Sequence, residues 1–277
     1  MDKIDLHMHT TSSDGILSPE EVVDTAVKKG LKAIAITDHD TVEGIAKAID
    51  RSKEYKNFLV IPGIELSCDY KNNEIHILGY FIDYNSKILS DLTKKLKDDR
   101  VKRGEKIVDK LNAMGLNISI DEVNEISSED YIGRPHIARV LVNKNYVSSI
   151  GEAFDKYLGN NKPGYVERFK PTIPEAIDII HATGGVAVLA HPGLIGNNIT
   201  LDEILKFKFD GIEVIHSKHD DDDRHKFNLI SESLNLIKTA GSDCHGYMMN
   251  NSLLMGKYFT NFEVVNKLKL AADKYRG

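Results

Sequence analysis

Seven short apolar runs, separated by longer amphipathic stretches, constrain this chain more than any other feature. They cover residues 4–6, 33–37, 59–66, 74–81, 186–190, 211–215 and 237–240. A short apolar run reads as a buried strand, and strand–helix alternation predicts parallel strands with helices packed outside them. The helix signals agree. Ser18-Pro19-Glu20-Glu21 offers an N-cap, a proline in the first turn and a capping box, Val22, Val23, Ala26 and Val27 supply an apolar face, and Gly30 ends the segment. Helices are also read over residues 41–55 and 172–182. At 277 residues the chain can bury a sizeable core.

Between residues 87 and 161 this rhythm breaks. Residues 87–114 read as a long charged helix whose apolar positions include Ile88, Leu92, Leu96, Ile107, Val108 and Leu111. More helix follows near 137–144 and 150–158. The expected organisation is an α/β domain built from 1–86 and 162–277, with a helical insertion over 87–161.

Polar residues gather where the apolar runs end. His7 and His9 end the first run, and at i and i+2 on a strand they share a face. Asp38-His39-Asp40 end the second, Glu65 lies near the end of the third, His191 ends a later one, and Asp243 and His245 follow the last. In parallel α/β folds, sites form at the carboxyl ends of strands, so these residues describe a convergent cluster. His76 fits less neatly, because it lies near the start of its run. Asp14, in Ser12-Ser13-Asp14-Gly15, either bends back to the same site or is an ordinary turn residue. Imidazole mixed with carboxylate suits Mn²⁺, Fe²⁺ or Zn²⁺ better than Ca²⁺ or Mg²⁺. Nine donors are too many for one ion, and a carboxylate such as Glu65 can bridge two. Three divalent ions with three carboxylates and a bridging hydroxide leave a charge of about +2, which suits a phosphate dianion.

Composition narrows the partners. The net charge of −6, from 36 basic and 42 acidic residues, argues against sequence-independent binding of duplex DNA. No apolar run reaches membrane-spanning length and no apolar leader opens the chain, so no membrane partner is expected. Two cysteines, Cys68 and Cys244, give no disulfide framework, and a cytoplasmic location is expected.

Asp5-Leu-His7-Met-His9 with Asp14, Thr37-Asp38-His39-Asp40, Gly63-Ile-Glu65, His76, Ala190-His191-Pro192 and Gly241-Ser-Asp243-Cys-His245 together resemble the polymerase-and-histidinol-phosphatase (PHP) superfamily. The resemblance covers most of the chain. Gly133-Arg134-Pro135-His136 in the insertion is most similar to a subgroup of stand-alone phosphatases acting on nucleoside 3′,5′-bisphosphates, some of which degrade short RNA from the 5′ end. The resemblance implies a distorted (β/α)7 barrel, with the helical insertion covering a site for three divalent ions. His7, His9, Glu65 and Asp243 would hold one ion, Glu65, His76 and His191 the second, and Asp14, His39 and His245 the third. Many relatives carry histidine where Asp14 stands, and the aspartate lowers the site's charge.

The implied activity is phosphomonoester hydrolysis by a metal-bridging hydroxide. The 3′-phosphate of a nucleoside 3′,5′-bisphosphate would be released, and Glu65, Asp243 and His191 would lie nearest the chemistry. Arg134 and His136 would bind substrate phosphate; read without the resemblance, they simply start a helix. Lys162, Arg168 and Lys170 are weaker candidates. Asp38 and Asp40 are read as partners that orient imidazoles. His216 is a candidate for lining the mouth, with less claim for His219 and His225. His181 and Cys244 read as structural, and Tyr80 and Tyr165 as packing residues or base-stacking surfaces. An amidohydrolase-type enzyme would be expected to place a bridging lysine where Glu65 stands. A histidinol-phosphate phosphatase, the nearer rival, would call for carboxylates around the substrate amine. A non-catalytic metal-binding module is the third alternative.

Overall fold

The computed structural model describes residues 2–127, 132–196, 198–249 and 252–276. Each of the seven apolar runs forms a strand. In chain order the elements are β1 (Ile4–Met8), α1 (Pro19–Lys28), β2 (Ala33–Ile36), α2 (Glu43–Ser52), β3 (Leu59–Tyr70), β4 (Asn73–Tyr80), α3 (Lys87–Ala113), α4 (Ile120–Ile126), α5 (Arg134–Asn143), α6 (Ile150–Ala153), α7 (Ile173–Ala182), β5 (Val186–Leu189), α8 (Leu201–Ile204), β6 (Gly211–Ile215), α9 (Asp221–Ser233), β7 (Ile237–Ala240) and α10 (Phe262–Asp273). The expected capping box forms at α1, where Ser18 accepts from the Glu21 N–H and Glu21 returns to the Ser18 N–H. Among the described residues, no helix is long and apolar enough to cross a membrane.

The strands pair in sequence order, β1 to β7. β7 returns to β1 through a parallel bridge between Met8 and Cys244, where the His9 N–H donates to the Cys244 carbonyl at 3.1 Å. The sheet is thus nearly closed into a barrel. Ile4, Leu6, Ala33, Ala35, Ile61, Leu78, Tyr80, Val186 and Val188 fill its inside together with Val265, Leu268 and Ala272 of α10. The lumen is therefore packed away from the carboxyl ends of the strands, which leaves that rim for chemistry.

One strand departs from the all-parallel expectation. β4 runs antiparallel to both β3 and β5. Only Lys71 and Asn72 separate β3 from β4, and both stand at positive φ, 50° and 63°. A two-residue turn of that shape makes a hairpin, whereas a parallel return needs a long crossover. The start of β4 therefore lies at the rim where the parallel strands end, and this brings His76 to the same place as the other candidates.

A second local device aims the histidines. The register of β1 against β2 slips by one residue between Asp5 and Met8. Ile4 and Leu6 belong to the inner cluster and Met8 to the outer one. Strict alternation would send His7 outward. The extra residue turns it inward beside Leu6, as bulges next to functional sites do. Gly241 permits the close approach: a Cβ there would overlap that of His7.

The helices of the middle region carry a core of their own, which includes Ile107, Leu111, Val123, Ile137, Leu141 and Leu158. α3 is shared between two cores. Leu89 and Leu96 pack with the barrel's outer cluster, and Ile107, Val108 and Leu111 with the insertion. The boundary at residue 87 falls at the start of α3, while the first half of that helix lies on the barrel.

Candidate metal and phosphate site

Glu65 is fully buried on β3. An isolated carboxylate there would be costly by several kcal/mol. Five imidazoles converge on it instead. Its Oε2 lies 3.1 Å from His7 Nε2, 3.2 Å from His9 Nε2 and 3.2 Å from His39 Nδ1. Its Oε1 lies 2.8 Å from His76 Nδ1 and 2.9 Å from His191 Nε2. Asp243 closes one side, with Oδ1 at 3.0 Å from His9 Nε2 and 3.5 Å from His7 Nε2. Asp14 closes another, with Oδ1 at 3.1 Å from His245 Nε2 and 3.8 Å from His9 Nδ1. All nine donors expected from the sequence are thus brought to one rim. Asp40, His191 and Asp243 stand at φ 57°, 24° and 54°. Non-glycine residues rarely adopt that backbone, and such strain gathers at functional sites.

The donor set fits cations. His9 Nδ1, His9 Nε2 and His39 Nδ1 are buried nitrogens that make no hydrogen bond among the described residues, although carboxylate oxygens lie close by. They share a space with those oxygens rather than point at them, as ligands around an ion do. Among the described residues, four sets of donors lie close enough together to hold an ion: His7, His9, Glu65 and Asp243; His9, Asp14, His39 and His245; His39, Glu65 and His76; and His7, Glu213 and His216. The electrostatics agree. Burial works against a charged His9, yet Asp243 and Glu65 beside it push it up to about 10. Burial likewise opposes a charged His76, and Glu65 with Glu74 pushes it up to about 10. Glu65 is held well below the usual carboxylate range, because His39, His7 and His76 outweigh its burial. The rim demands positive charge at its centre.

Beside this rim lies a cavity of about 160 Å³ lined by Arg100, Arg103, Arg134 and Arg168 together with Asp14, His39, His76 and Glu74. Arg103 and Arg168 are buried. Burial lowers Arg103 to about 9, and the neighbouring Arg134, Arg100 and Arg168 add to the effect. Arg134 is also lowered, first by burial. Arg103 Nε has no hydrogen-bond partner among the described residues. Such a grouping of guanidinium groups has the chemistry to take up an anion. Gly104 makes the grouping possible, since a Cβ there would lie 2.5 Å from Ile132 Cγ2, just ahead of Arg134.

Several sequence readings change here. His136 is buried at the start of α5, where its Nδ1 accepts from the Gly133 N–H at 3.3 Å. It is absent from the cavity lining, which Arg134 and the other arginines supply instead. Among the described residues, Asp38 makes no hydrogen bond to an imidazole. Its carboxylate accepts from the Thr10 N–H and hydroxyl, both at 2.7 Å, and from the Ser13 hydroxyl at 2.6 Å, so it shapes the loop that carries Asp14. Asp40, turned by its positive φ, accepts from the Ser67 N–H and pairs with Arg100 and with Arg168 (3.0 Å). It joins the rim to the arginines. Lys170 contacts Glu74 at 2.6 Å, and Glu74 in turn holds His76 at 3.1 Å. Lys162 and His225 are exposed. His181 pairs with Asp210 at 2.8 Å, His219 accepts from the Gly193 N–H, and the Tyr80 hydroxyl donates to the Leu6 carbonyl. Cys244 packs in the outer core, and Tyr165 lies under the Arg134 guanidinium at 5.7 Å.

The sequence reading passed over Arg100, Arg103 and Glu213. Glu213 is fully buried on β6, with Oε1 at 3.1 Å from His7 Nδ1 and Oε2 accepting from the His191 N–H at 2.9 Å. Its signal was a lone charge inside an apolar run.

A barrel rim with these donors defines a metal-dependent hydrolase, and comparison with known proteins narrows the class. Residues 5–177 match the PHP domain family. The 5′-3′ exoribonuclease Rnm of Escherichia coli is 36% identical over 87% of this chain and 84% of its own length. The 3′,5′-nucleoside bisphosphate phosphatase of Chromobacterium violaceum is 35% identical over 88% of each chain. A solved structure, of an amidohydrolase from Chromobacterium violaceum with bound sulfate and no metal, has a TM-score of 0.81 at 34% identity, covering 87% of this chain and 86% of that one. The chain belongs to the PHP domain family, and it is a metal-dependent phosphoesterase.

Proposed function

We propose that this enzyme releases the 3′-phosphate of nucleoside 3′,5′-bisphosphates, and that it also degrades short 5′-phosphorylated RNA. The observation that carries the proposal is the arginine-lined cavity directly beside the donor rim. The site offers two regions that demand opposite charge: the rim calls for cations, and the cavity for an anion. A substrate with a second phosphate satisfies the cavity while the scissile phosphate reaches the rim. The 36% and 35% identical relatives named for RNA and for bisphosphate substrates support the same reading.

In this reading His7, His9, Glu65 and Asp243 hold one ion, Glu65, His76 and His191 a second, and Asp14, His39 and His245 a third. Mn²⁺ is the first choice, with Fe²⁺ or Zn²⁺ as alternatives that also suit mixed nitrogen and oxygen donors. Bound ions supply Lewis acidity, which lowers the pKa of water and offsets phosphoryl charge. Glu65, Asp243 and His191 would lie nearest the chemistry, and Glu65 belongs to two of the proposed ligand sets. Glu213 fixes the His7 ring through Nδ1, so that Nε2 faces the site. Arg103 and Arg134 bind the second phosphate, and Asp40 holds Arg100 and Arg168 at the junction.

Histidinol phosphate would need a carboxylate for its amine. Asp14 and Glu74 line the cavity, but Glu74 is already engaged by His76 and Lys170, and Asp14 by His245. The test is a rate panel in Mn²⁺ with a 3′,5′-bisphosphate, a 5′-monophosphate, histidinol phosphate and a short 5′-phosphorylated RNA. The bisphosphate should lead by about tenfold or more, the equivalent of one charge-assisted hydrogen bond. A rate confined to histidinol phosphate would overturn the proposal.

A further inference from the structure

His216 is completely buried and lies outside the nine donors. It follows β6, whose register against β7 slips between Glu213 and Ile215. The slip leaves Ile215 36% exposed and turns His216 inward, with its ring centroid 5.3 Å from that of His191 and 6.0 Å from that of His7. His216 Nδ1 accepts a hydrogen bond from the Lys218 N–H at 3.1 Å. A nitrogen that accepts carries no proton, so the proton of the ring is on Nε2. That nitrogen is placed 3.4 Å from Asp243 Oδ2, and among the described residues no other partner takes its proton.

Asp243 divides its two oxygens. Oδ1 faces His9, His7 and His245 at 3.0, 3.5 and 3.6 Å, whereas Oδ2 faces His216. Asp243 also stands beyond the end of β7, at φ 54°. We propose that His216 is a positioning residue, donating Nε2–H to Asp243 Oδ2 and so holding Oδ1 toward the ion; this rests on the reading of Asp243 as a metal ligand. A protonated Nε2 cannot itself ligate a cation, so His216 is not a tenth ligand. It acts through Asp243, in the way partners behind metal-bound carboxylates do.

The experiment compares His216→Gln with His216→Asn in the full chain. A glutamine amide N–H can reach the position of Nε2, whereas asparagine is too short and reaches only the position of Nδ1. Mn²⁺ affinity is read by competition with a chelating indicator, kcat and KM on a simple phosphomonoester, and folding by thermal melting. His216→Asn should weaken Mn²⁺ binding by about 10–100-fold and lower kcat more than it raises KM, while His216→Gln should stay within about threefold of the parent. Equal behaviour of the two variants, whether both intact or both weakened, would overturn the role. Asp243→Asn separates the two layers. If it leaves Mn²⁺ affinity unchanged, Asp243 is not a ligand. If it abolishes binding while the His216 variants match each other, only the His216 role fails.

Discussion

The barrel rim and the helical insertion line the same cavity, but different forces hold them. Rim donors stand on strands or in the short segments that follow them, where the sheet's ladders, the bulge in β1 and the β3–β4 hairpin set the backbone. The insertion has its own hydrophobic core and reaches the barrel largely through α3. Arg100 and Arg103 lie on α3 between the barrel-facing Leu96 and the insertion-facing Ile107. In the proposed function the two regions divide the labour: the sheet would carry the chemistry, and the joint with the insertion would carry recognition.

The largest effect should come from the rim. Glu65→Gln removes the carboxylate on which five imidazoles converge. Bound metal should fall, and phosphatase rate should drop by about 1,000-fold or more on every substrate, or roughly 4 kcal/mol. Metal content by elemental analysis and a rate assay check this, and full loading with full activity would refute the assignment. Leu141→Ala probes the other region. Truncating a buried leucine costs about 2–5 kcal/mol, and the loss should stay local. Amide exchange should quicken across the insertion core while β1–β7 keep their protection; equal loss in both would show one cooperative unit and break the division. Smaller still is Glu213→Gln, which weakens the hold on His7. Mn²⁺ affinity should fall by about 10–100-fold with the selectivity between substrates unchanged. A change in selectivity would tie the barrel's inner partners to recognition.

The rim was legible because strands end in side chains of one chemical kind, and a strand end is a local feature. His76 looked misplaced only while all strands were taken as parallel; Lys71-Asn72, two residues able to take positive φ, was the hairpin signal. The opposite aims of Asp38 and Asp40 were not legible, because they depend on a local backbone reversal at Asp40. Arg100 and Arg103 were hidden for a different reason. At i and i+3 in a charged helix they look like a solvated face. They share a cavity with Gly133 and Arg134 at the start of α5 and with Arg168, all distant in the chain. A sequence shows periodicity within one helix, but not which distant element will cover it.

The division of labour is tested most directly by one ratio. For the parent and for Arg103→Ala, kcat/KM should be measured on a nucleoside 3′,5′-bisphosphate and on the matching 3′-monophosphate, with metal content held equal. The account predicts that the parent prefers the bisphosphate by about 10–100-fold, worth roughly 1.5–3 kcal/mol for a charged contact, and that Arg103→Ala loses most of this preference while its monophosphate rate stays near the parent's. An unchanged ratio, or an equal fall on both substrates, would contradict it.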